Sequence, residues 1–366
     1  MLVPVEADAA AGLARSAGSA RLDRPDRRDW SGPIDGGAAA ATRGARCATV
    51  WELRGSLLLD LTRGYRDGEW LRIPLPDPRP EGLADGTHPH DVRRRLIAEG
   101  LLPGKWLNRL FSVGGIRLEN GLLSLRAFPP CGRTDRPPLP DGGEPAEAEA
   151  LYEDDWCLVL LKPAGMPVHP AHPGMGGTLD EAAFRHVLRA GDPLPVRHIH
   201  RLDADTSGPV LYAKNDLAQL RLDEAMREKR IGRRYVAIVH GAPKPRTGTI
   251  DAPIGRDRHH GSRRRVTPGG DRAVTHYETV KTAGGMSLVR VRLETGRTHQ
   301  IRVHFSHIGH PLLGDALYGA PADPLPHQAL HGESLVFPHP WTGRTIAVEA
   351  PRPRWFEDAL RRFGLM

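Results

Sequence analysis

The sequence predicts an α+β protein, with a larger C-terminal domain on a mixed, largely antiparallel sheet and a small N-terminal α/β domain. Three observations predict it. Beyond residue 150, strand-like and helix-like stretches follow one another in irregular order, whereas a doubly wound sheet needs regular alternation. Residues 127–149 (AFPPCGRTDRPPLPDGGEPAEAE) have the Pro, Gly and acidic composition of a linker. Ahead of them lie two short helical stretches and a hairpin, and 366 residues is long for one domain.

A hydrophobic content of 39% is enough for an ordinary core. The net charge of +7 and the pI near 9.6 favour a polyanionic partner, because Lys and Arg that neutralise phosphates release counterions. Cys47, Cys131 and Cys157 lie far apart, form no C-x-x-C pair and suit a reducing compartment. The N-terminus has no basic start followed by an apolar core, and no run of about 18 apolar residues occurs, so neither secretion nor membrane spanning is expected. A cytoplasmic monomer is the default expectation.

Residues 1–46, rich in Ala, Gly, Arg and Asp, bury too little to offset their ordering entropy and are expected to be disordered. From Cys47, ATVWELRGSLLLDL suggests two short strands around Gly55. In HDVRRRLIAEGLLPGKWLNRL, Val92, Leu96, Leu107 and Leu110 mark two helical halves broken at Pro103-Gly104. GGIRLENGLLSL follows as strand, Asn120-Gly121 turn and strand. The helix pair with its hairpin resembles the small RNA-binding module named after ribosomal small-subunit protein four, so residues 47–126 are expected to form an RNA-binding-like domain.

Past the linker, in the domain expected over residues 150–366, CLVLLK is a continuous apolar run, as in a buried strand. TLDEAAFRHVLRAG has Thr178 and Glu181 in capping-box spacing and Gly191 as its stop. Asn215-Asp216 opens a second helix running to about Lys229, and RRYVAIVHG, THYETV and MSLVRVRLE suit strands.

Two segments carry chemistry. In HIHRLDADTSGPVLYAK, Asp203 lies between an apolar approach and turn-forming residues, where a loop carboxylate can face a cleft. By itself it reads more simply as a solvated Asp organising its turn. In LETGRTHQIRVHFSHIGHPLLGDALYG, a helix is expected from Gln300 to about His307, with Ile301, Phe305 and Ile308 on one face. Arg302 beside that face is expected to be partly buried and to need an acidic partner. His299, His304, His307 and His310 invite a metal reading, but helical spacing does not gather three on one face. Tyr235 in RRYVAIVHG reads alone as a packing residue.

Together HRLDADTSG, RRYVAIVHG, TGRTHQIRVHFSHIGHPLLGD and LHGESLVFPHPWTG, in that order, resemble the large-subunit (RluA-like) family of RNA pseudouridine synthases. LYEDDWCLVLLKPAGMPVHP resembles that family's domain opening, so the likeness runs from about residue 150 to 358. It implies the pseudouridine synthase fold and isomerisation of uridine in structured ribosomal or transfer RNA, without cofactor or metal. By position it makes Asp203 the catalytic carboxylate, Tyr235 the cleft tyrosine, Arg302 the arginine pairing with the carboxylate and Ile301 a pocket wall. Arg201 matches the arginine that fills the RNA stack, and His200 beside it is counted with the substrate-binding residues. Ala204, Pro209 and Arg234 depart from the usual pattern without removing a reacting group.

The chemistry suits these groups. The N1–C1′ bond must break, the base rotate, and C5 join C1′ with loss of its proton. A carboxylate can attack the substrate or stabilise the charge that develops, and an Arg partner keeps it ionised. The nucleotide must first be flipped from its stack. Arg263, Arg264 and Arg265 lie in a strongly basic stretch, residues 227–272, that suits phosphate contacts. Two rivals remain. A metallohydrolase would use His198, His200 and Asp203 as ligands, and a non-catalytic RNA-binding protein on the same fold would lack Asp203, Tyr235 or Arg302.

Overall fold

The computed structural model describes residues 59–132, 146–321 and 325–366, which fall within one compact unit. The segment 1–46, the centre of the linker and most of ATVWELRGSLLLDL lie outside the described residues. Leu61, the last residue of that stretch, opens a 3-10 turn, Leu61–Arg63. The Asp60 carboxylate caps that turn, accepting the Thr62 N–H at 3.0 Å.

A first four-stranded sheet contains β1 (Tyr65–Asp67), β2 (Trp70–Pro74), β3 (Ile116–Glu119) and β4 (Leu122–Leu125) in the order β1-β2-β4-β3. Helices α1 (Pro89–Ala98) and α2 (Gly104–Ser112) separate β2 from β3. Both expected helical halves bury the faces predicted for them, Val92 and Leu96 on one, Leu107 and Leu110 on the other. Asn120 and Gly121 take φ of 52° and 71°, as a tight hairpin turn with two left-handed positions requires.

Among the described residues, this sheet has no separate core. Leu71, Val92 and Leu107 belong to the same buried cluster as Trp156, Leu211, Leu217 and Phe337. Phe128 meets Trp156 edge-on at 5.1 Å, and Trp156 stacks on Trp341 at 4.8 Å. Arg66 adds a fork to Asp192, with bonds of 2.6 and 2.5 Å.

Next come β5 (Glu149–Glu153), β6 (Cys157–Lys162), α3 (Leu179–Arg189), β7 (Arg197–His198), β8 (Gly208–Ala213) and α4 (Asp216–Arg227). Their strands pair in the order β5-β6-β8-β7. Thr178 caps α3 as expected, but Glu181 reaches back to the N–H of Gly177, one residue before the cap.

A six-stranded sheet follows, built from β9 (Gly232–His240), β10 (Thr247–Asp251), β13 (Val274–Ala283), β14 (Met286–Leu293), β15 (Leu330–Pro338) and β16 (Thr345–Glu349). Its order is β10-β13-β14-β9-β15-β16, and β11 (Ile254–Arg256) with β12 (Arg264–Val266) forms a separate hairpin. Among the described residues the named strand pairs are all antiparallel, and the parallel contact expected of a mixed sheet is a bridge between sheets, Ser207 to His331. Helices α5 (Gln300–His307) and α6 (Arg354–Arg362) pack on opposite faces. Along β9, Val236 and Ile238 meet the α6 residues Phe356 and Leu360, whereas Tyr235, Ala237 and Val239 share a cluster with Ile301 and Phe305 of α5. The period of two therefore turns Tyr235 toward α5. Among the described residues, no helix is long and apolar enough to cross a membrane.

The sheets meet where the chain entering β8 crosses β15. Gly332 N–H donates to Ser207 O at 2.7 Å, and Ser207 Oγ lies 2.8 Å from His331 Nδ1. A Cβ on Gly208 would come within 2.7 Å of Gly332 Cα, and the φ of 138° is itself forbidding to an L side chain. Gly208→Ala should therefore lower unfolding stability by about 3 kcal/mol. Urea denaturation measures this, and an unchanged midpoint would show that the crossing is loosely packed.

Candidate active site

Asp203 lies on the loop from β7 to β8. Its carbonyl accepts the Thr206 N–H at 3.0 Å, closing a tight turn, and the chain then crosses onto β15. Gly332 at that crossing is the cross-strand partner of Tyr235, so the crossing sets the loop beside the tyrosine. Lys162, fully buried at the end of β6, props the loop from behind. Its Nζ donates to the carbonyls of Pro163 (2.8 Å), Met166 (2.6 Å) and Ala204 (2.5 Å). Burial pushes this ammonium down to about 7, against the pull of the Asp205 and Asp203 charges.

The Asp203 carboxylate does not cap its own turn. Its side-chain partner is Arg302, whose Nη1 lies 3.3 Å from Oδ2. The rest of that guanidinium belongs to Asp315, with Nε to Oδ2 at 2.7 Å and Nη2 to Oδ1 at 2.9 Å. Side-chain exposure rises along this chain of charges, from 1% at Asp315 to 9% at Arg302 and 22% at Asp203. Burial works against the Arg302 cation, but the bonds and charge of Asp315, with Asp203 added, raise its pKa on balance. A core carboxylate thus fixes a guanidinium that presents one of its remaining N–H groups to a carboxylate at a cleft.

Tyr235, Ile301, Arg302, Arg201 and Asp203 line that cleft. Tyr235 is buried, which raises the pKa of its phenol and keeps it neutral. Arg201 is exposed at the mouth and donates to Thr298 Oγ1 at 3.2 Å. The opposite wall, residues 296–300, is fixed by Gln300. Its amide donates to Val274 O and Thr275 Oγ1, both at 3.0 Å, and accepts from Thr295 Oγ1 and the Arg297 N–H at 2.8 and 2.9 Å. All four hydrogen-bonding positions of the amide are used. Gly296 leaves room for Arg233, whose Nη1 would stand 3.0 Å from a Cβ there.

His200, expected among the substrate-binding residues, is not at the cleft. It is buried, and its Nε2 accepts the Leu211 N–H of β8 at 3.3 Å. Burial lowers its pKa to about 3, leaving a neutral ring with a lone pair for that amide. The ligand set of the metallohydrolase reading is not assembled either. His198 Nδ1 is 3.0 Å from Asp180, and His200 faces β8. Among the described residues, the one group of three such donors within 4.8 Å of one another is Asp154, Cys157 and His339. There Asp154 accepts the Trp156 and Cys157 N–H groups, and His339 Nδ1 accepts those of Trp341 and Thr342, so the polar atoms are already used.

Arg264 and Arg265 lie on β12 and Arg263 just before it, outside the cleft but one side chain from it. The Arg264 N–H donates to the hydroxyl of Tyr318 at 3.0 Å, and the Arg302 guanidinium lies 5.0 Å from the Tyr318 ring centroid.

The family model described as RNA pseudouridylate synthase matches residues 156–307. The uncharacterized RNA pseudouridine synthase YhcT of Bacillus subtilis (strain 168) is 45% identical over 222 residues, 60% of this chain and 74% of that protein. This chain belongs to the RNA pseudouridine synthases. A second B. subtilis relative, the uncharacterized RNA pseudouridine synthase YjbO, is 42% identical over 211 residues, 58% of this chain and 75% of its own length. The ribosomal large subunit pseudouridine synthase D of Nitrosomonas europaea is 40% identical over 225 residues, 58% of this chain and 65% of its own.

In this pseudouridine synthase, residue-by-residue reading missed Asp315, Lys162 and Gln300. A signal existed for the first: a buried Arg needs a carboxylate, and Asp315 is the first acid after Arg302. Lys162 and Gln300 act through backbone carbonyls and loop atoms, which no spacing in the sequence marks.

Proposed function

We propose that this pseudouridine synthase acts on a uridine of ribosomal RNA, with Asp203 as its catalytic carboxylate. The carrying observation is the chain Asp315–Arg302–Asp203, which ends in an anion at the cleft beside Tyr235. An anion so held can attack the substrate or stabilise the positive charge that develops at C1′ as the base leaves. The buried, neutral Tyr235 ring offers a face on which a flipped pyrimidine can stack while it turns. Ile301 bounds the pocket, and Arg201, exposed at the mouth, can fill the gap that the base leaves. No step in this scheme calls for a metal or an organic cofactor. Ribosomal RNA is favoured by the 40% identity to the N. europaea protein, whose name specifies the large subunit. Mapping pseudouridine in total RNA from cells with and without the gene tests the substrate. Loss of modification at ribosomal positions is expected, and a loss confined to transfer RNA would overturn the assignment.

The arginines at β12 supply the second expectation. Replacing Arg263, Arg264 and Arg265 by Ala should flatten the salt dependence of RNA binding by roughly 0.7–0.9 log–log units for each phosphate they would otherwise neutralise. Alanine keeps the backbone N–H that holds Tyr318, so single-turnover rate at saturating RNA should fall far less than affinity. An unchanged slope would remove this hairpin from the RNA interface.

A further inference from the structure

His299, immediately before α5, lines the same cleft as Asp203, Tyr235 and Arg302. Its backbone is left-handed, with φ of 57°, an uncommon conformation for residues other than glycine that clusters at functional sites. Its Nδ1 lies 2.8 Å from the hydroxyl oxygen of Tyr318. That hydroxyl already accepts the Arg264 N–H at 3.0 Å, so its own proton needs an acceptor, and His299 Nδ1 is in reach. The Tyr318 ring has little freedom, being 3% exposed and flanked by the Arg302 and Arg263 guanidinium groups at 5.0 and 5.7 Å. With Nδ1 accepting, a neutral imidazole carries its proton on Nε2. Burial lowers the His299 pKa against the opposing charge of Asp203, which favours that neutral form. Among the described residues Nε2 has no hydrogen-bond partner, which leaves Nε2–H available as a donor to a molecule in the cleft that His299 lines.

We propose that His299 is a further catalytic residue, donating its Nε2–H to a carbonyl oxygen of the uracil as the glycosidic bond breaks, with Tyr318 as its positioning residue. This rests on the reading of the Asp203 cleft as the reacting site. When the N1–C1′ bond breaks, its electron pair stays with the base and spreads onto N1 and the carbonyl oxygens, while C1′ faces the Asp203 carboxylate. The hydrogen bond to one of those oxygens strengthens as negative charge grows there, and no proton leaves His299. A neutral donor suits this position, because an imidazolium would pair with Asp203 and blunt the anion that C1′ needs. A fixed donor placed where charge develops is worth about 10²-fold in rate.

The test compares His299→Asn, His299→Gln, Tyr318→Phe and Asp203→Asn by tritium release from RNA carrying [5-³H]uridine, under single turnover at saturating RNA. Asn tolerates the left-handed backbone but withdraws the donor, so its rate should fall by about 10²-fold with unchanged RNA Kd. Gln, whose amide nitrogen reaches the place of Nε2, should recover much of that loss. Tyr318→Phe should slow the reaction by freeing the tautomer. Nitrogen-15 NMR of the imidazole should show Nδ1 unprotonated in the wild type and mixed tautomers in Tyr318→Phe. A wild-type rate for His299→Asn beside an inactive Asp203→Asn would overturn the proposal alone. A loss confined to Kd, or an Nδ1–H tautomer in the wild type, would overturn it equally. Tritium release by Asp203→Asn would instead overturn the underlying reading of the cleft.

Discussion

Asp203→Asn should leave the fold and RNA affinity intact while turnover falls by roughly four orders of magnitude or more, as for loss of a reacting group. The amide has the shape of the carboxylate but is neither an anion nor a nucleophile. The fold should survive because Arg302 keeps both bonds to Asp315, and its 3.3 Å contact with Asp203 is the longest and most exposed of the three. Filter binding of RNA and the melting temperature would report the controls. A variant that turns over appreciably would remove Asp203 from the chemistry, and one that unfolds would make the residue structural.

Arg302→Ala should lose both activity and stability. It strips Asp315, 1% exposed, of its two charge-assisted bonds and leaves a buried carboxylate alone. Breaking a buried pair in this way costs about 3–5 kcal/mol. Adding Asp315→Asn should recover part of that stability by removing the stranded charge, while the rate stays low because nothing then holds Asp203. This split separates the guanidinium's two jobs. A single variant that melts like the wild type would show that the pair is not buried in solution, and a wild-type rate would show that Asp203 does not need it.

Much of the fold was legible where local chemistry and burial agree. The Asn120-Gly121 hairpin, the Thr178 cap and the face of α5 all follow from short-range spacing. The apolar run of β9 was legible as a strand, but not that both of its faces are covered, since that depends on α5 and α6 arriving from far along the chain. The shared core around Trp156 and Trp341 was illegible for the same reason: its aromatic partners come from segments on either side of the linker and from near the C-terminus. At the site, motif likeness placed Asp203, Tyr235 and Arg302 around one cleft, and the residues alone would have left Asp203 as a turn former. His200 was misplaced because two residues separate it from Asp203 and nothing in HIHRLD shows that the ring turns back onto β8. The support from Lys162 and Asp315 came from segments distant in sequence, as buried polar partners often do.

The most direct measurement is tritium release from [5-³H]uridine in ribosomal RNA lacking the modification, by wild-type protein dialysed against EDTA. Asp203 chemistry at this cleft predicts release equal, mole for mole, to the pseudouridine formed, undiminished by the chelator and absent with Asp203→Asn. Release that stops on dialysis and returns with added metal ion, or that persists in the Asn variant, would contradict it.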